Sequence, residues 1–268
     1  MKNKDANCLS DAIFENLLFV NVIVCGEPGI ALFDTGAQKT VVSRKFLSRC
    51  NIVISNESVY AGNNNGQKLS LNTASLKTVK IADIVLTDAE VLVIDDDCFD
   101  MVDSQGNPFP ADMLLGYEII GNFKWTFTNS TKVLTVNFSD TVTVKPNLGY
   151  NVFPMIQVTS GTNTYLAGID TGHTDTILKS NVNINGTEVT YIDDVITGIG
   201  STKETHAPII SKCSLTFEDI IIELSNITLQ DEIYGVSPQM DILLGMDFFK
   251  DVDWEMDFIS GTLILKNK

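Results

Sequence analysis

Apolar residues along this chain gather in short runs bounded by turn-forming residues, rather than in the long 3.6-residue rhythm of amphipathic helices. In the first half, residues 18–24 (LFVNVIV), 89–94 (AEVLVI) and 132–136 (KVLTV) are rich in β-branched or aromatic side chains. In the second half, 155–158 (MIQV), 220–224 (IIIEL) and 262–265 (TLIL) have the same character. Such side chains pack well on a pleated surface, so each run is a predicted strand. Polar clusters such as 63–66 (NNNG) and 160–163 (SGTN) read as the turns between strands. Only short stretches within 112–121 and 239–250 have spacing that suits a helix. The expected class is all-β with a few short helices.

The chain also repeats itself. An apolar run ending in Ile30-Ala31-Leu32-Phe33 leads into Asp34-Thr35-Gly36-Ala37, and Tyr165-Leu166-Ala167-Gly168-Ile169 leads into Asp170-Thr171-Gly172-His173. Gly62 follows Asp34 by 28 residues, and Gly198 follows Asp170 by the same 28. Asp112-Met113-Leu114-Leu115-Gly116 is echoed by Asp241-Ile242-Leu243-Leu244-Gly245. Nine residues beyond each of those last glycines stands one of the chain's two tryptophans, Trp125 and Trp254. The offset is 136 residues at the first two landmarks and 129 at the last two, a shift that one small loop difference explains. Four landmarks in one order point to duplication of a single unit. The 145–149 segment (KPNLG) reads as the linker, giving expected lobes of residues 1–144 and 145–268.

Composition narrows the function. At 268 residues and 44% hydrophobic, the chain can bury a sizeable core. Its 18 basic against 34 acidic side chains give a net charge of −16. That balance argues against binding a nucleic-acid backbone or an anionic membrane surface. No apolar run reaches 18 residues, and the apolar stretch 17–25 follows acidic rather than basic residues, unlike a signal peptide. The five cysteines are odd in number, scattered and free of any CxxC pair, so reduced core thiols are expected rather than disulfides or a zinc knuckle. A cytoplasmic protein without metal or cofactor is the resulting expectation.

The repeated Asp-Thr-Gly elements carry the candidate chemistry. Each Asp follows mostly apolar residues and stands two before a Gly, which suggests a tight turn leaving a buried strand. If the halves pack about a pseudo-twofold axis, Asp34 and Asp170 meet. Two carboxylates about 3 Å apart share a proton, because both cannot ionise readily. One then acts as general base and the other as general acid. Thr35 and Thr171 carry hydroxyls able to bond across the axis, and Gly36 and Gly172 permit close approach.

These motifs resemble those of the aspartic proteases of the retropepsin and pepsin type. Asp34-Thr35-Gly36-Ala37 and Asp170-Thr171-Gly172 are similar to that family's active-site motif. Leu114-Leu115-Gly116 and Leu243-Leu244-Gly245 are similar to its later apolar-apolar-Gly element. The resemblance implies two β lobes in acid-protease architecture, a catalytic Asp34/Asp170 pair and an aspartic endopeptidase activity on an extended peptide. Ala37 and the short step to a Gly-containing hairpin look more like retropepsins, as though two identical chains had been fused into one monomer. It implies two flaps, formed around Tyr60, Ala61, Gly62 and Asn63 and around Thr197, Gly198 and Ile199. His173 departs from the pattern, since a small residue usually follows Asp-Thr-Gly. The competing class is a silent peptide-binding protein that keeps the duplicated fold.

Other motifs carry less. Two histidines without HExxH give no support for a zinc hydrolase, and His206 reads as a solvated loop residue. No GxSxG element is present. Residues 198–203 (GIGSTK) have the wrong Lys spacing for a phosphate loop. Asp95-Asp96-Asp97 reads as an exposed charged loop rather than a calcium site.

Overall fold

The computed structural model describes residues 4–6, 14, 16–62, 68–103, 106–139, 145–182, 184, 189–198, 201–233 and 239–267. The predicted strands form three sheets. In the first lobe the strand order is Phe19–Val24, Glu27–Phe33, Met113–Leu115, Val41–Ser43, Ile84–Ile94, Lys68–Ile81, Ile54–Gly62. Phe19–Val24 pairs back onto Lys68–Ile81, with Val22 opposite Ile81, so six of these strands close into a barrel. Closure leaves fewer backbone edges to satisfy than an open sheet would.

The second lobe repeats the design. Its order is Gly149–Asn151, Phe153–Ser160, Asn163–Ile169, Ile242–Leu244, Ile177–Lys179, Ile220–Gln230, Ser201–Phe217, Val189–Gly198. Here Thr159 opposite Thr216 closes the barrel. The predicted turn at 160–163 is a tight hairpin between Phe153–Ser160 and Asn163–Ile169, with Gly161 at φ +60°. The predicted turn at 63–66 lies outside the described residues.

A third, five-stranded sheet belongs to both halves. Its order is Lys4–Ala6, Val133–Asn137, Lys124–Thr128, Val252–Asp257, Thr262–Asn267. The seam sets Trp254 opposite Phe127 and Met256 opposite Trp125. Both tryptophans are fully buried, and the Phe33 ring lies 4.8 Å from Trp125 and 6.4 Å from Trp254. One continuous apolar cluster therefore runs through the seam and up to the strand that ends in Asp34.

The stretches read as helical are only partly so. Within 112–121, Met113–Leu115 is a strand and only Tyr117–Ile120 is helical. Within 239–250, Ile242–Leu244 is a strand and only Met246–Phe249 is helical. A short apolar run has no period that separates strand from helix, and here barrel pairing decides: Leu115 lies parallel to Phe33, and Leu244 to Ile169. A helix that the pattern did not announce, Arg44–Arg49, starts where Ser43 Oγ accepts the Phe46 N–H at 3.2 Å. The 145–149 segment is strapped down, not loose: Leu148 is buried, and the Leu263 N–H donates to Asn147 Oδ1 at 2.8 Å.

Candidate active site

Asp34 and Asp170 each sit one residue past the end of a buried barrel strand. Their own N–H groups still belong to the sheet, donating to Leu115 O at 3.1 Å and to Leu244 O at 3.0 Å. The next residues turn back on the side chains. Gly36 and Ala37 N–H groups both donate to Asp34 Oδ1 at 2.9 Å, and the Gly172 N–H donates to Asp170 Oδ1 at 3.0 Å. Each carboxylate is thus aimed by its own turn.

The two turns cross. A Cβ added to Gly36 would overlap the Asp170 carboxylate, and one added to Gly172 would overlap the Asp34 carboxylate. Only glycine leaves room there, so the pair is brought face to face by backbone packing. Asp170 is buried and Asp34 keeps a small opening to solvent.

Beneath the carboxylates, Thr35 and Thr171 are fully buried and joined reciprocally. The Thr35 N–H donates to Thr171 Oγ1 and the Thr171 N–H to Thr35 Oγ1, both at 3.0 Å. Each hydroxyl then donates across the axis, Thr35 to Ile169 O at 3.0 Å and Thr171 to Phe33 O at 2.7 Å. The N–H and the hydroxyl of each threonine are satisfied by the other half, which ties the lobes together at the site.

The electrostatics follow from the contacts. Burial, reinforced by the neighbouring Asp170 charge, pushes the Asp34 carboxyl up to about 8, against the opposing pull of the Gly36 and Ala37 N–H groups. Such a pair holds one shared proton through neutral pH, with titration steps that belong to the pair.

A supporting layer carries no motif of its own. Thr40 Oγ1 accepts the Gly116 N–H at 3.0 Å, and Glu118 Oε1 accepts the Thr40 N–H at 2.5 Å. In the other lobe Thr176 Oγ1 accepts the Gly245 N–H at 3.3 Å and donates to Asp247 Oδ1 at 2.7 Å. Further back along the strands that lead to the two turns, Asp112 Oδ2 accepts the Ile30 N–H at 3.0 Å and Asp241 Oδ2 the Leu166 N–H at 2.9 Å. These pairs lie at the same 136- and 129-residue offsets as the motifs, so the duplication held the signal that would have found them. Burial raises the Asp247 carboxyl, while hydrogen bonds from Thr176 oppose the shift.

The remaining expected residues fall as follows. His173 turns to its own loop, with ring Nδ1 2.7 Å from Asp175 O, and its backbone O accepts the Met246 N–H at 2.8 Å. In the other lobe Ala37 O accepts the Tyr117 N–H at 2.7 Å. Tyr60 is exposed, with Lys68 Nζ 4.0 Å above its ring. Ala61 packs on the apolar cluster that also takes Ala37, Leu32 and Leu114, so this hairpin is rooted beside the first Asp-Thr-Gly turn. Gly62 pairs with Lys68, Thr197 with Thr202 and Gly198 with Ser201. Asn63 and Ile199 lie outside the described residues. His206 is corrected from loop to strand, where it pairs with Asp193 at 2.8 Å across the hairpin and stacks on Tyr191.

Asp95 and Asp96 serve the helix Arg44–Arg49: Asp95 pairs with Arg44, and Asp96 Oδ1 accepts the Lys45 N–H at 2.8 Å. Among the described residues no cluster of His, Cys, Asp and Glu could hold a metal. The described cysteines are free, and burial pushes Cys50 and Cys98 up to about 11 and Cys213 to about 12, so these three thiols stay protonated. Among the described residues no helix is long and apolar enough to cross a membrane.

Comparison with curated proteins gave no significant match. Residues 20–122, which hold the first barrel and its Asp-Thr-Gly turn, match the family model described as "gag-polyprotein putative aspartyl protease". The first lobe is thus similar to the retropepsin-like aspartyl proteases, and the second barrel repeats its strand arrangement, consistent with a duplicated protease fold.

Proposed function

We propose that this protein is an aspartic endopeptidase in which Asp34 and Asp170 activate one water between them. The observation that carries the reading is the crossed packing, in which each glycine lies against the opposite carboxylate. It rests further on a carboxyl held protonated at neutral pH beside a second one. The ionised member takes a proton from water as the water oxygen attacks the peptide carbonyl carbon. The protonated member donates to the carbonyl oxygen, giving a neutral tetrahedral diol. The C–N bond then breaks as the nitrogen gains a proton and a hydroxyl returns its own, restoring one shared proton. No covalent enzyme intermediate and no metal enter the cycle.

The two lobes, residues 1–144 and 145–268, act as the halves of an intramolecular dimer. A peptide substrate lies extended between them and adds a strand against the hairpin backbones around Tyr60–Gly62 and Thr197–Gly198. The test is cleavage of a diverse peptide library from pH 3 to 9 by wild type, Asp34→Asn and Asp170→Asn. Wild type is expected to cut, and each variant to lose at least about 1,000-fold while staying folded. A folded wild type that binds peptides saturably without cutting any would move the assignment to a silent binding protein.

A further inference from the structure

The pseudo-twofold axis gives every residue near the dyad a counterpart, and one pair differs in the sign of its charge. Lys39 follows Asp34 by five residues, and Asp175 follows Asp170 by five. Both are exposed. Their places match in detail: a Cβ on Gly116 would collide with the Lys39 carbonyl carbon and the Thr40 nitrogen, and a Cβ on Gly245 with the Asp175 backbone. Each therefore straps over the glycine that follows the leucine whose carbonyl holds the dyad Asp N–H. Backbone dimensions put both main chains within about 10 Å of their own dyad carboxylate.

The surroundings do not cancel this difference. The acids beneath the straps are matched in the two lobes, Glu118 under Thr40 and Asp247 under Thr176. No described residue forms an ion pair with Lys39, which is a local positive charge on a chain of net charge −16. Asp175 is exposed to solvent, with one carboxyl oxygen accepting the Thr174 hydroxyl at 2.7 Å. The other positions on the two straps, Ala37 and Gln38 against His173 and Thr174, bring no acid to the first side and no fixed positive charge to the second.

We propose that the cleft reads charge polarity: it takes peptides with an acidic side chain toward the Lys39 side of the cut and a basic one toward the Asp175 side. The inference rests on the proteolytic reading for the word "cut", and on placement alone for the polarity. A symmetric dyad cannot tell the two directions of a peptide apart, whereas a positive strap facing a negative one can, through Coulomb interactions that screening weakens but does not abolish at this range.

The test uses peptide pools sharing one randomised apolar core, flanked by Glu and Lys in either order, by Glu on both sides, or by Lys on both sides. A peptide can lie in either direction, so wild type is expected to favour both mixed pools over both like-charged pools by about 3–10-fold in kcat/KM at low salt, the ratio falling toward one near 1 M salt. Lys39→Asp should move the preference to the Lys-flanked pool, and Asp175→Lys to the Glu-flanked pool. The same ratios are measured as Kd with Asp34→Asn added to each background, so that polarity is read without turnover. Equal binding and cleavage of all pools, or a preference that the two variants leave unmoved, overturns the proposal. If wild type cuts none of the pools while Asp34→Asn still discriminates and the two variants shift that preference, proteolysis fails and polarity stands.

Discussion

At the floor of the cleft the first and second lobes match residue for residue, while a few residues away they do not. Asp34, Thr35 and Gly36 do for Asp170, Thr171 and Gly172 what those do in return, and Thr40 with Glu118 answers Thr176 with Asp247. Yet the helix Arg44–Arg49 has no counterpart among the described residues of the second lobe. The first hairpin joins its strands between Gly62 and Lys68, the second between Gly198 and Ser201, so five residues stand where the other lobe has two. Ala37 becomes His173, and Lys39 becomes Asp175. The difference teaches where symmetry is required. Two carboxyls that share a proton must be held by equivalent frames, because each frame is built partly from the other lobe's atoms. Loops that meet only solvent or substrate carry no such constraint.

Substitutions at the crossing glycines test that equivalence most severely. Gly36→Ala and Gly172→Ala each drive a methyl into the opposite carboxylate, and a displacement of about 1 Å at reacting groups costs on the order of 100-fold. Both are expected to lose at least that much in kcat, measured on the best library peptide. A loss confined to one side would break the comparison.

The threonine pair should respond in stability. Thr35→Val strips the acceptor from the Thr171 N–H and the donor from Ile169 O, and Thr171→Val does the mirror image. Leaving such buried groups unpaired costs about 2–5 kcal/mol in urea unfolding, with the two variants alike. Thr35→Ser, which keeps the hydroxyl, should restore most of it.

The dyad's pH behaviour sharpens the picture without choosing a lobe. With the Asp34 carboxyl pushed up to about 8, cleavage is expected to persist through neutral pH and to fall above pH 8. The folded state holds this proton where an unfolded Asp loses it near pH 3.9. Stability is therefore unaffected below about pH 4 and declines as pH rises toward 8. Asp34→Asn removes the decline, so its Tm should exceed wild type by several degrees at pH 8 and by almost nothing at pH 4.

The tryptophans give the smallest contrast. Trp125 Nε1 donates to Ile120 O at 2.9 Å, while buried Trp254 Nε1 has no partner among the described residues. Both indoles are packed by aromatic neighbours, so truncation to Phe opens comparable space. Trp125→Phe should cost about 1 kcal/mol more than Trp254→Phe by denaturant titration, the difference being the lost hydrogen bond. Equal costs would mean that the bond contributes nothing net.

Repeated motifs and short β-branched apolar runs were enough, read from the sequence alone, to point to a duplicated β protein with two Asp-Thr-Gly turns. These are local signals: strand propensity, turn chemistry and spacing survive without knowing which strand pairs with which. The same local signals misread 113–115 and 242–244 as helical, because an apolar triplet has no period and barrel pairing decides its form. They gave no sign of the helix Arg44–Arg49, too short to show a periodic face. They also passed over Thr40, Glu118, Thr176 and Asp247, ordinary polar residues until packing sets them under the Asp-Thr-Gly turns. Only tertiary structure decided that Gly36 faces Asp170 and Gly172 faces Asp34, since contacts between residues 134 and 138 positions apart depend on how two closed barrels dock. Burial at that junction, invisible in sequence, is what turns two ordinary aspartates into a pair that keeps a proton at neutral pH.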